Sequence, residues 1–82
     1  MGELDGVWKV EPLPGVTKRI EGGRGVTRVG RLPGVPFRVR GLELVYPGGF
    51  LVDRCVPDGD GFRLEATLGG WVWGRFRLRR LS

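Results

Sequence analysis

Chemistry in this chain would have to be done by carboxylates, one thiol and arginines, because the other usual actors are missing. The sequence has no His, Asn or Gln, and its one Ser is Ser82. A Ser-His-Asp triad or a Cys-His pair therefore cannot be assembled, and the commonest general base near neutral pH is absent. Acid and base work would fall to Asp5, Asp53, Asp58, Asp60 and the glutamates. No catalytic residue is assigned, and the chain reads as non-enzymatic. Cys55 has no second thiol to pair with and no His to complete a metal site, so it reads as a strand cysteine packed as a small hydrophobe. Asp58-Gly59-Asp60-Gly61, followed by Glu65, has the outline of a calcium loop but lacks the third oxygen ligand and the usual length before the glutamate. Gly22-Gly23-Arg24-Gly25 is followed by no helix and no Lys-Ser or Lys-Thr pair, which a phosphate cradle needs. Both segments read as turns, and neither a metal nor a cofactor is expected.

Twelve arginines and two lysines against nine acids give a net charge of +5, and the charges are segregated. Lys18 to Arg40 carries seven basic residues and only Glu21 as an acid, while Arg75 to Arg80 adds four arginines. A positive face of this kind attracts phosphates or acidic partners, although an Arg-rich codon bias and solvated strand faces give a similar count. In a nucleic-acid-binding reading, Arg24, Arg28, Arg31, Arg38 and Arg40 contact phosphates and Trp71 or Trp73 stacks on bases.

The elements that would position these side chains are strands. Gly, Pro or a Gly pair interrupts the sequence about every eight to twelve residues, the rhythm of an antiparallel sandwich or barrel. The spacing predicts strands over Gly6–Glu11, Val16–Glu21, Gly25–Val29, Phe37–Arg40, Leu42–Tyr46, Phe50–Val56, Phe62–Leu68 and Trp71–Leu81. If the fourth and fifth merge into one strand bent at Gly41, the count falls from eight to seven. Short turns between consecutive strands favour an all-β antiparallel meander, closed or nearly closed into a small barrel, as one domain over residues 1–82. Alternation assigns Trp8, Val10, Leu42, Leu44, Tyr46, Phe62, Leu64, Ala66 and Leu68 to the core face. Val26 to Val29 alternates poorly and suggests an edge strand, or a place where Thr27 or Arg28 turns inward. Leu13-Pro14-Gly15-Val16 recurs as Leu32-Pro33-Gly34-Val35, an echo that turn chemistry alone accounts for.

The last strand holds Trp71, Trp73 and four arginines, and simple alternation would make it a binding stripe. A two-residue turn at Gly69-Gly70 instead sets Leu68 opposite Trp71 and Ala66 opposite Trp73, on the core side. Continuing that register would bury Arg75 and Arg77, which is costly. A bulge at Gly74-Arg75 relieves the conflict, with Trp73 and Phe76 buried and Arg77 and Arg79 exposed. An unbroken strand with exposed tryptophans is the competing arrangement.

Gly6-Val7-Trp8 on the first strand, together with the arginines of the last, resembles the calycins, the lipocalin and fatty-acid-binding-protein group of up-and-down barrels. The resemblance implies that a final-strand arginine, Arg75, Arg77 or Arg79, lies over Trp8 as a cation–π partner. It also implies a small apolar or anionic ligand at a barrel mouth near Trp8. The chain is shorter than a typical member, and side chains are expected to fill an interior of this size. Three functions stay open: a calycin-like ligand-binding domain, a nucleic-acid-binding barrel, and a structural or homo-oligomerising domain without ligand. No run of the ~18 to 20 apolar residues needed to span a membrane as a helix occurs, and the first residues are acidic rather than signal-like, so the chain is expected to be soluble and cytoplasmic.

Overall fold

The computed structural model of the protein describes residues 2–82. Its eight antiparallel strands are β1 (Gly6–Glu11), β2 (Val16–Glu21), β3 (Arg24–Val29), β4 (Val35–Arg40), β5 (Glu43–Val45), β6 (Leu51–Asp58), β7 (Gly61–Leu68) and β8 (Trp71–Arg80). Each pairs with the next in sequence, and β1 pairs with β8, so the meander closes into a barrel. Closure leaves β3 bonded on both sides rather than at an edge, and it is Thr27 that turns inward, onto Lys18. The bent-strand alternative is not adopted: Gly41, at a φ of +61°, and Leu42 form a tight turn that folds β5 back on β4, pairing Arg40 with Glu43. Asp58-Gly59-Asp60-Gly61 is likewise a hairpin turn, with Asp58 opposite Gly61.

Alternation fills the interior. Trp8, Val10, Ile20, Phe37, Leu44, Cys55, Phe62, Leu64, Ala66 and Leu78 are buried together with Leu4, and Val16, Val39, Leu42, Tyr46 and Phe76 pack against them. Burial of apolar area at about 25 cal/mol per Å² is the main force holding so small a barrel. The expected core position of Leu68 is not observed, and its side chain is half exposed.

The register of β8 explains that difference. The turn at Gly69-Gly70 sets Leu68 opposite Trp71 as expected. The ladder then runs Thr67 to Val72 and Ala66 to Gly74, so the extra residue is Trp73 and the bulge lies one step earlier than the Gly74-Arg75 position expected from the sequence. Trp73 is therefore not buried; it is 52% exposed, with Phe76 edge-on at 6.1 Å. Gly74 instead makes room for an aromatic ring, since a Cβ there would come within 2.8 Å of the Phe76 ring, which folds over its backbone. Beyond the bulge, Phe76 and Leu78 turn inward as anticipated, opposite Leu64 and Phe62. The ladder to β1 involves only Arg77 to Arg80 of β8, paired with Glu11 to Trp8, so Trp71 to Phe76 run on past it.

Candidate functional site

An antiparallel meander has two ends. The start of β1, the end of β8 and the turns at residues 22–23, 41–42 and 59–60 lie at one; the turns at 12–15, 30–34, 46–50 and 69–70 lie at the other.

The first end is closed around Trp8, which has no exposed surface. Its indole N–H donates to the Leu4 carbonyl at 2.9 Å, and Phe62 meets the ring edge-on at 5.4 Å. A guanidinium lies over the ring, the contact that the calycin resemblance implied for Arg75, Arg77 or Arg79, but it belongs to Arg80, 4.2 Å from the ring centroid. Trp8 and Arg80 are direct cross-strand partners and so share a face, whereas Arg77 and Arg79 have the opposite parity. Arg75 pairs with Glu65 at 3.5 Å, Arg77 with Asp58 at 3.0 Å and Asp60 at 3.5 Å, and Arg79 with Glu11 at 2.9 Å. None of the three covers Trp8. Arg80 also donates to the Asp5 carbonyl at 2.9 Å, drawing the N-terminal segment across the end. Gly6, at a φ of +137°, is where any Cβ would collide with the Arg80 guanidinium and the Ser82 carbonyl. The Gly-x-Trp spacing thus serves the closure, and a mouth beside Trp8 is not what the chain builds.

The second end is apolar and exposed. Val29, Val35, Leu51, Leu68 and Trp71 share strand parity with the interior residues Thr27, Phe37, Asp53, Ala66 and Gly74, yet all five are exposed. Leu51, Leu68 and Trp71 form one continuous cross-strand row. They lie where β6, β7 and β8 project past the last β1 pair.

Beneath this rim is a buried polar group that sequence reasoning missed. Lys18 is only 3% exposed, and its ammonium donates to Thr27 Oγ1 at 2.7 Å, Tyr46 Oη at 2.8 Å and Asp53 Oδ2 at 3.1 Å. Tyr46 in turn donates to Asp53 at 3.2 Å, and the Phe37 and Tyr46 rings flank the ammonium at 5.4 and 5.5 Å. An isolated buried charge is costly, so the pair with Asp53 and the added hydrogen bonds are what permit Lys18 here. All three ammonium protons are used. Burial pushes the Tyr46 phenol up, partly offset by Lys18, and burial followed by the Asp53 charge pushes the Cys55 thiol up to about 12. These groups stay protonated near neutral pH and offer no nucleophile. The signal in the sequence was positional: Lys18 shares parity with Val16 and Ile20, and Asp53 with Leu51 and Cys55.

The residues of the nucleic-acid reading are separated by the fold. Arg24 and Arg38 are cross-strand neighbours, Arg28 lies further along β3, and Arg31 is in the following loop. Arg40 pairs with Glu43 at 3.0 Å. Trp71 and Trp73 are on β8, four strands around the barrel from β4 in either direction, and so stand away from Arg38 and Arg40. Among the described residues no cluster of three potential metal ligands occurs, and no helix is long and apolar enough to cross a membrane. No protein-family model matches the chain, and no curated protein or solved structure is similar enough to match it.

Proposed function

We propose that the protein is a non-enzymatic, calycin-like binding barrel that takes a small apolar ligand at the end ringed by Val29, Val35, Leu51, Leu68 and Trp71. The observation that carries this reading is that five large apolar side chains of interior parity stand exposed around one end of the barrel. Apolar side chains gathered around one end form a patch that a small apolar ligand can cover. The calycin likeness is supported by Gly6-Val7-Trp8 under Arg80 at the opposite, closed end. Of the two ligand chemistries expected from the sequence, the floor favours the apolar one. Lys18 has no proton left to give an anion, and Asp53 would repel one.

The test is titration with a neutral apolar fluorophore, N-phenyl-1-naphthylamine, read by energy transfer from tryptophan, with a long-chain alcohol and the matching carboxylate as competitors. Saturable binding is expected, with the alcohol competing better than the carboxylate. Leu68→Ser together with Trp71→Ser should weaken binding at least about tenfold, since burying one such side chain is worth about 1.5 to 3 kcal/mol. Absence of saturable binding would reject the proposal. A mass that rises with concentration and is abolished by the same double variant would replace the ligand with a second copy of the chain.

A further inference from the structure

The arginines fall into two sets by partner. Arg40, Arg54, Arg75, Arg77 and Arg79 each have a carboxylate within ion-pair distance, and Arg80 covers Trp8. Among the described residues, Arg19, Arg24, Arg28, Arg31, Arg38 and Arg63 have no such carboxylate; Arg63 stands alone on β7 and Arg31 lies in the loop after β3, while the other four are exposed together on the outer face of β2, β3 and β4. Arg24 sits directly across one ladder from Arg38, a like-charged pair, and across the other from Glu21, which leaves Arg38 without a facing acid on β3. The outer face here is an open groove of about 1180 Å³, with Arg19, Arg24, Arg38 and Arg40 along it, Val26 and Pro36 in its lining, and Glu21 as the one acid that lines it.

Guanidinium forks fixed on paired strands suit an oxygen-rich polyanion. Three features narrow the class. β2, β3 and β4 are each hydrogen-bonded on both sides, so an acidic peptide cannot add itself as a further strand and would be held by side chains alone. No tryptophan lines the groove, and its two aromatic residues, Phe37 and Tyr46, are packed inward around Lys18, which leaves little for single-stranded bases to stack on. A duplex, with one charge per roughly 1.7 Å of axis, gains most from charge contacts alone. We infer that the groove across β2, β3 and β4 is a duplex nucleic-acid site that holds the phosphate backbone without reading bases, separate from the apolar end.

The experiment is fluorescence anisotropy of a labelled 20-base-pair duplex between 50 and 200 mM NaCl. The variants are Arg24→Gln with Arg38→Gln, and a charge-matched control, Arg63→Gln with Arg75→Gln, on the opposite side of the barrel. Binding should weaken steeply with salt. The groove variant should lose at least about tenfold in affinity at 50 mM and lower the salt slope by about 2, one unit per phosphate contact, while the control stays within about threefold. Arg24→Lys with Arg38→Lys, which keeps the charge, should restore most of the binding, and thermal melting checks that each variant is folded. No duplex binding at 50 mM salt would overturn the inference, as would equal losses in the groove and control variants. Poly-glutamate binding as tightly as the duplex would overturn it in favour of an acidic protein partner.

Discussion

Trp8 and Trp71 stand at opposite ends of one barrel and have opposite fates. Trp8 is wholly buried, with its N–H satisfied by Leu4, its edge on Phe62 and its face under Arg80. Trp71 also has interior parity, opposite Leu68, yet it is 68% exposed. The difference lies in what the neighbouring strand offers. At the Trp8 end β1, β8 and the segments 2–5 and 81–82 converge, whereas at the Trp71 end β1 has already stopped and β8 runs on without it. A position of interior parity becomes core only where the barrel is closed around it. Where it is not, the same parity produces an exposed apolar rim.

The largest expected contrast comes from truncating each tryptophan. Trp8→Ala should cost about 3 to 5 kcal/mol, a large part of the roughly 4 to 12 kcal/mol that a chain of this length commands, whereas Trp71→Ala should stay within about 0.5 kcal/mol in urea unfolding. If the two variants lose similar stability, the rim at the Trp71 end is part of the core and the contrast fails.

A smaller effect separates the arginines at the closed end. Arg80→Ala should lose about 0.5 to 2 kcal/mol through its contact with the Trp8 face, and Arg79→Ala no more than about 1 kcal/mol from an exposed pair with Glu11. Arg80→Ala should also change the fluorescence of the Trp8 indole, which Arg79→Ala should leave alone. Identical spectra for Arg80→Ala and wild type would remove Arg80 from the closure.

The last contrast lies beneath the apolar rim, is absent at neutral pH and appears only in alkali. Cys55 keeps its proton in the folded barrel up to about 12, above its ordinary value of 9.0, so the unfolded chain ionises first. The contribution is fully present below pH 9 and is lost as pH rises from about 9 toward 12. Cys55→Val should flatten the decline of stability between pH 9 and 11. Tyr46, raised for the same reason of burial, keeps a residual decline in the variant. A thiol that reacts with iodoacetamide in the folded protein at pH 8 would contradict the burial of Cys55 beneath the rim.

Much of the architecture was legible because it is written in local chemistry. The Gly pairs at 22–23 and 69–70 specify two-residue hairpins, and the alternation in β1, β5 and most of β7 specifies a face, so strand order and much of the core follow without long-range information. The candidate site was less legible. Arg75, Arg77 and Arg79 were expected over Trp8 because they belong to the right strand, but Arg80 takes that position through a register set by β1 and β8, whose partners lie about seventy residues apart. Lys18 was missed because its acceptors, Thr27, Tyr46 and Asp53, come from three other parts of the chain. A lysine of inward parity is unreadable as core until those acceptors are in view.

By itself the sequence determined that the chain is a meander of short antiparallel strands, that it lacks the residues for the commonest hydrolytic chemistry, and that its positive charge gathers in two stretches. These follow from φ preferences, period-two alternation and composition, which act within a few residues. Only the tertiary structure decided which end is sealed, where Trp73 leaves the ladder, and which arginines are left without a carboxylate. Those depend on the offset at which β8 meets β1. That offset is fixed by barrel closure, a condition that all eight strands must satisfy together and that no local segment contains.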